Sequence, residues 1–272
     1  MMILHISDLH FGTEQGAVVD ALLRSVEDLT LDAVIVSGDI TQRARRREFA
    51  AALAFLDELC ERAALSLRED VLLVPGNHDI PLFNLAARLG WPYHNYTRAF
   101  GPTLQPVLRR DGLLAIGVNT TRRWRHKHGQ ISPQQIDAVS AGLRAAGDET
   151  LRIVVTHQPL AVKHADDEID LLRGHAAARS EWLAAGVDLV LAGHIHLAYA
   201  LPLEGESPRG GGWLLQTGTA VSERVRDQVP NSFHVIMPTP LAATRCVIER
   251  FDYHWAEDAF LAVERVNIPR TR

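Results

Sequence analysis

The chain has 272 residues, 47% of them hydrophobic and 22% charged, which is ample for a sizeable core and fits one large or two small folded domains. A net charge of −5 and a pI near 6.2 weigh against a general nucleic-acid binder, which is more often basic. Cys60 and Cys246 lie far apart and outside any CxxC pattern, so no disulfide framework is implied and both read as buried small hydrophobes. No apolar run approaches the ~18 residues of a membrane span, and the opening MMILHISDLH lacks the basic stretch and cleavage site of a leader, so a cytoplasmic protein is expected.

In chain order, residues 3–7 read as a short apolar strand running into Asp8 and His10. Val18, Val19, Leu22, Leu23 and Val26 then share one helical face. Residues 33–37 form a second strand, which ends in Gly38-Asp39. A second helical face follows in Phe49, Leu53, Leu56, Leu59 and Cys60. Residues 71–74 form a third strand, which ends in Gly76-Asn77-His78-Asp79. Residues 113–118 are a further strand, and Pro133 opens a third helix through Ile136, Val139 and Leu143. Residues 153–156 run into His157, and residues 187–192 run into Gly193-His194-Ile195-His196. Strands this rich in Val, Ile and Leu are covered on both faces, and their alternation with helices argues for an α/β core.

After His196 the texture changes. Residues 213–217, 233–237, 245–251 and 260–266 read as strands without strong helices between them. They are expected to be antiparallel and to complete a second sheet, with a hairpin at the glycine-rich 210–212. No boundary releases this part as an independent domain.

Five strands thus each end in a potential metal ligand. Ligands of α/β sheets bind at the carboxyl ends of the strands, so Asp8, His10, Asp39, Asn77, His157, His194 and His196 are delivered to one rim. In D-x-H and H-x-H the two side chains of an extended backbone point the same way and can reach one centre. Gly38, Gly76 and Gly193 let the backbone turn sharply beside it. Seven ligands are too many for one ion but suit two ions ~3.5–4 Å apart, bridged by a carboxylate. A set of oxygen and imidazole donors without thiolate favours Fe, Mn, Zn or Co. His5, His94, His164, His175, His234 and His254 lie outside the pattern and read as structural or solvated.

The same ordered motifs, Asp8-x-His10, Gly38-Asp39, Gly76-Asn77-His78-Asp79, His157 and Gly193-His194-x-His196, resemble the calcineurin-like metallophosphoesterase superfamily. The resemblance covers residues 3 to about 200 and is closest to class III cyclic-nucleotide phosphodiesterases and related bacterial phosphodiesterases. It implies a four-layer α/β/β/α sandwich in a single domain over residues 1–272, with residues 1–200 as the metal-binding core and residues 201–272 as mainly β. It also implies a dinuclear centre, Fe or Mn first, with Zn or Co as alternatives. One ion would take Asp8, His10, Asp39 and His196, and the other Asp39, Asn77, His157 and His194.

The expected activity is hydrolysis of a small soluble phosphodiester, such as a 3′,5′-cyclic nucleotide, by a hydroxide held between the ions. His78 is expected to stabilise the transition state or to protonate the leaving oxygen. Asp79 either orients His78 or caps a helix beginning near Pro81. Asn77, His78, His196 and Arg43 are the expected substrate contacts. Two basic stretches, 43–47 at the start of a helix and 122–128, either shape the substrate pocket or are solvated charge runs. The partner is expected to be a small anionic phosphodiester, with no stable nucleic acid and no membrane, and a homodimer is allowed. Two alternatives stand beside this reading: a broad phosphoesterase for glycerophosphodiesters, nucleotides or monoesters, and a non-catalytic scaffold.

Overall fold

A computed structural model describes residues 1–209, 211–239 and 244–269. The chain builds β1 (Ile3–Ile6), α1 (Gly16–Glu27), β2 (Ala33–Val36), α2 (Arg46–Arg62), β3 (Val71–Leu73), α3 (Leu85–Gly90), α4 (His94–Phe100), β4 (Val107–Arg110) and β5 (Leu113–Gly117). It continues with α5 (Pro133–Arg144), β6 (Leu151–Val155), α6 (His175–Ala184), β7 (Leu189–Ala192), β8 (Tyr199–Leu203), β9 (Gly212–Gln216), β10 (Ser232–Pro238), β11 (Thr244–His254) and β12 (Ala259–Pro269). Two six-stranded sheets result, in the orders β12-β11-β10-β1-β2-β3 and β4-β5-β6-β7-β9-β8.

The two-residue period of each central strand divides its side chains between two cores. In β1 and β2, Leu4, Ile6, Val34 and Val36 face out and pack with Leu22 and Val26 of α1 and with Phe49 and Leu56 of α2. Their neighbours Ile3, Ala33 and Ile35 face in and meet Ile153, Val155, Leu189 and Leu191 of the other sheet. On the far side, Val154, Val190 and Leu214 pack under Val139 and Leu143 of α5 and Trp182 of α6. The order of layers is therefore α/β/β/α, as expected. Burial on both faces is why these strands read as unbroken apolar runs.

Local signals place the helices. Ser132 caps α5: its hydroxyl accepts from the Gln135 amide, and the Gln135 side chain accepts from the Ser132 amide. On α2 the expected face holds at Phe49, Leu56, Leu59 and Cys60, while Leu53 is half-buried and Phe55 takes its share of the core. Both cysteines are buried and free.

The expectation for residues 201–272 requires one correction. The late strands do not all complete a second sheet. β8 and β9 extend the sheet of β7, with β9 parallel to β7, whereas β10, β11 and β12 extend the first sheet from β1. Gly210 of the expected glycine turn lies outside the described residues, and Gly212 is the first residue of β9, opposite Leu203.

Candidate metal centre

β1, β2, β3, β6 and β7 stop before the ligand candidates begin; six of the seven residues sit in the loops that follow, and Asn77 opens a single 3-10 turn, Asn77–Asp79. The extended-backbone explanation for D-x-H and H-x-H is corrected here. Asp8, His10, Asp39, His194 and His196 have φ of 51°, 44°, 48°, 78° and 57°. All five are left-handed, a region that only a few per cent of non-glycine residues occupy. Strain gathered at one spot is a mark of a functional site held by its surroundings.

Those surroundings are visible. The Asp8 amide donates to the Gly38 carbonyl at 3.0 Å and the His10 amide to the Asp39 carbonyl at 2.9 Å, which continues the β1–β2 pairing past the strand ends. A Cβ on Gly76 would strike the Asp39 backbone and carboxylate, and one on Gly193 would strike Ser7 and Asp8. Glycine at these two positions is a condition for the loops to close on one another.

The side chains converge in three overlapping groups, Asp8–His10–His196, Asp39–His157–His194 and, between them, His10–Asp39–His78; the first and second are the two expected sites. In the first, His196 Nε2 lies 3.2 Å and His10 Nε2 lies 3.7 Å from Asp8 Oδ1. In the second, His157 Nε2 lies 3.3 Å from Asp39 Oδ2 and 3.1 Å from Asn77 Oδ1. Asp39 Oδ2 is also 3.8 Å from His10 Nε2, so one carboxylate oxygen faces both groups. Because β1–β3 and β6–β7 belong to different sheets, the site lies where the two sheets share an edge.

The imidazoles are oriented from behind. His157 Nδ1 donates to the Ser37 carbonyl at 2.9 Å, and His196 Nδ1 donates to the Arg224 carbonyl. That directs each Nε2 lone pair inward, the usual support of a ligating histidine. His10 Nε2 and His196 Nε2 stand 3.1 Å apart. His194 Nε2 has no hydrogen-bond partner among the described residues. Lone pairs crowded together beside two carboxylates suit a cation between them, and the donor set fits two divalent or trivalent ions.

Electrostatics agree. Burial alone would raise Asp8 and Asp39, but the neighbouring histidines outweigh it and hold both carboxyls well below the usual range. Burial likewise opposes a charge on His157, but Asp39 overcomes it and pushes that imidazole up to about 9. Burial brings His10 down to about 4.

His78 sits half-buried at the opening. Its amide donates to Asp39 Oδ1 at 2.8 Å and its Nδ1 donates to the Gln42 carbonyl at 2.8 Å. Its ring meets the His10 ring edge-on at 4.9 Å. Asp79 serves neither expected purpose. Its carboxylate accepts from the amides of Ile40, Thr41 and Gly76 and from the Thr41 hydroxyl, so it ties the Asp39 loop to the Asn77 turn. The helix it was expected to cap starts later, at Leu85, with Asn84 as its cap.

Arg43 precedes α2, whose first residue is Arg46 with Arg45 as its N-cap. Its guanidinium lies 5.7 Å over the Phe83 ring, beside a small cleft that Asn77, His78 and His126 also line. The charge run at that helix start is offset by buried Glu48, which accepts from the Arg43 and Arg45 amides. The 122–128 stretch is a loop in which Lys127 pairs with Asp170 at 2.7 Å.

Two residues escaped the sequence reading. Arg224 Nη1 lies 3.3 Å from His78 Nε2 and 2.9 Å from Gln42 Oε1, and Asp170 Oδ1 lies 3.6 Å from His194 Nε2. Neither stands in a motif; Arg224 enters from a loop and Asp170 from the end of the 3-10 helix Ala165–Asp170, each distant in sequence from its partner.

Back-to-back sheets with paired carboxylate–histidine groups at their common edge form the scaffold of a metallophosphoesterase. The chain belongs to the calcineurin-like phosphoesterase family, whose sequence profile matches residues 1–198. A glycerophosphodiester phosphodiesterase, GpdQ, of Enterobacter lignolyticus (strain SCF1) is 29% identical over 194 residues, 64% of this chain and 63% of the relative, so the match spans less than two thirds of that relative's length. One of the subunits of the nuclease SbcCD of Bacillus subtilis (strain 168) is 29% identical over 119 residues, 39% of this chain and 29% of its own. Among solved structures, a dimetal phosphatase from Danio rerio superposes with a TM-score of 0.69 at 16% identity, covering 100% of this chain and 99% of the other. The purple acid phosphatase PPD1 of yellow lupin superposes with a TM-score of 0.71 at 12% identity, covering 99% of this chain and 54% of the other. At such identities the structures establish the fold alone. No helix among the described residues is long and apolar enough to cross a membrane.

Proposed function

We propose that the chain is a dinuclear-metal-dependent phosphodiesterase acting on a small anionic phosphodiester. The observation that carries this is Asp39 Oδ2, set 3.3 Å from His157 Nε2 and 3.8 Å from His10 Nε2, in the position of a bridge between two ligand groups. Asp8, His10, Asp39 and His196 would hold one ion, and Asp39, Asn77, His157 and His194 the other. When bound, two such ions neutralise phosphoryl oxygens and supply Lewis acidity to a phosphorus that otherwise resists water.

The remaining work falls to this chain's own groups. His78 faces the opening, and with Nδ1 committed to the Gln42 carbonyl its Nε2 is the atom that meets the departing oxygen. Arg43, beside the Asn77–His78 cleft, faces the anionic part of the substrate. A glycerophosphodiester is favoured over a 3′,5′-cyclic nucleotide, because the relative GpdQ carries the former in its name.

The test is a substrate screen of iron- or manganese-loaded protein. It should include glycerophosphodiesters, cyclic nucleotides, bis-p-nitrophenyl phosphate and p-nitrophenyl phosphate. Turnover confined to the monoester would refute the diesterase reading. Asp39→Ala should lose both metal and turnover, and retention of two ions per chain with near-normal turnover would remove Asp39 from the bridge.

A further inference from the structure

Beside the opening of the site the surface is apolar and basic at once. Phe83, Leu85, Leu89 and Trp91 are 76%, 66%, 56% and 73% exposed, and Trp124 across from them is 65% exposed. Single exposed hydrophobics are ordinary, but five large ones on one short segment and its neighbouring loop mark a surface that meets something. Their outward aim is built in. Arg88, buried on α3, donates to the carbonyls of Pro81, Arg123 and Arg125 and pins the helix to the 122–128 loop. Leu85 and Leu89, one turn apart on the same helix, are thereby turned to solvent. Arg123 completes the join by donating to the Leu89 carbonyl at 2.6 Å.

The charge of this face is opposite to that of the chain. Residues 80–130 contain eight Lys and Arg and one acidic residue, Asp111, in a protein of net charge −5; Arg88 is buried and Arg110 and Lys127 pair with Asp70 and Asp170, so the exposed charge of the face itself rests on Arg123 with Arg46 beside it. Arg45 and Arg46 line the groove beside Phe83, and Arg123 lies 5.9 Å over the Trp124 ring. Arg46 and Arg123 have no carboxylate partner among the described residues.

We propose that this face docks on an anionic phospholipid bilayer. Aromatic and leucine side chains with arginines around them match the interfacial zone of a membrane, where rings sit among headgroups and guanidinium groups meet phosphates. A second copy of the chain fits less well, because a two-fold contact would set this basic face against itself. The sequence hid the feature, and so no membrane was expected. Only Leu85 and Leu89 share a helical spacing, on a six-residue helix, while Phe83, Trp91 and Trp124 come from stretches outside it. Docking would place the cleft of Asn77, His78 and Phe83 at headgroup depth.

The experiment is co-sedimentation of the full chain with phosphatidylcholine vesicles, with and without phosphatidylglycerol. Binding should be roughly 10-fold stronger with the anionic lipid and should weaken as salt rises. The double variant Leu89→Ser, Trp91→Ser should lose roughly 10-fold in vesicle binding while turnover of soluble bis-p-nitrophenyl phosphate is unchanged. Arg46→Gln with Arg123→Gln should lose only the preference for anionic lipid. No binding, or equal binding to both vesicle types, overturns the proposal. So does a solution dimer that the double variant dissolves, since a second copy is then the occupant. Vesicle binding is read without turnover, so a wrong assignment of the reaction would not disturb the result.

Discussion

Single atoms decide the chemistry at this site. His78 shares its hydrogen-bonding environment with Arg224, whose Nη1 is 3.3 Å from His78 Nε2 and whose carbonyl fixes His196. The guanidinium of Arg224 carries further N–H groups that can meet a phosphoryl oxygen beside His78. His78→Ala should keep both ions and lose roughly 10²–10⁴-fold in turnover, with a smaller loss for a p-nitrophenolate leaving group if the role is protonation. Arg224→Ala should raise KM for a diester more than it lowers kcat, and inorganic phosphate should inhibit it less strongly. Metal analysis of both variants separates these roles from ligation: loss of an ion from His78→Ala would make His78 a ligand, near the Asp39 and His10 atoms it already approaches. Unchanged KM and phosphate inhibition would leave Arg224 as a support for the His196 ring only.

The pairing of β1 with β10 carries a pH dependence of its own. His5 and His234 face each other in register, both buried, with ring centroids 6.2 Å apart. Burial lowers His5 to about 3 and lowers His234 well below the ordinary imidazole value. Both are neutral in the fold, while in the unfolded chain each takes up a proton below about pH 6.5. The native state then binds fewer protons, so stability is full above about 6.5 and falls as pH drops through that value toward the folded pKa. Between pH 7 and pH 5 His5 should cost ~2 kcal/mol, and His234 acts in the same direction. Urea melts of the wild type and of His234→Leu at these two pH values check the claim. The variant should lose less stability on acidification than the wild type, and an identical loss would show that His234 takes no part. The same two strands illustrate what a sequence conveys. Their apolar runs could be read as strands because residues 3–6 and 232–236 are all buried, but nothing in residues 233–237 says that they pair with residues 3–6 and not with β9.

Across the whole molecule, the candidate ligands come from both sheets, Asp8, His10, Asp39 and Asn77 from one and His157, His194 and His196 from the other. Ions bound there would hold the two halves together, since binding only to the folded chain adds to its stability. Chelation should therefore lower the melting temperature, with a loss of ~4 kcal/mol where free metal had stood near a thousand times its dissociation constant. An unchanged melting temperature would mean that the ligands do not bridge the sheets in solution. All seven ligand candidates were legible, because each follows a strand and strand ends collect at an edge. Their left-handed backbone was not legible, since Asp8 and His10 adopt it through contacts with Gly38 and Asp39. Arg224 and the purpose of Asp79 stayed hidden for the same reason, as both depend on partners brought by the fold. The sheet order also has a consequence for synthesis. Ile3 lies opposite Ile236, so a chain emerging from the ribosome carries β1 with one side unpaired until nearly all of it has been made. An apolar edge left open for that long is a template for neighbouring nascent chains. Expression should therefore be more sensitive to chaperone supply and to premature stops after about residue 200 than the finished fold would suggest.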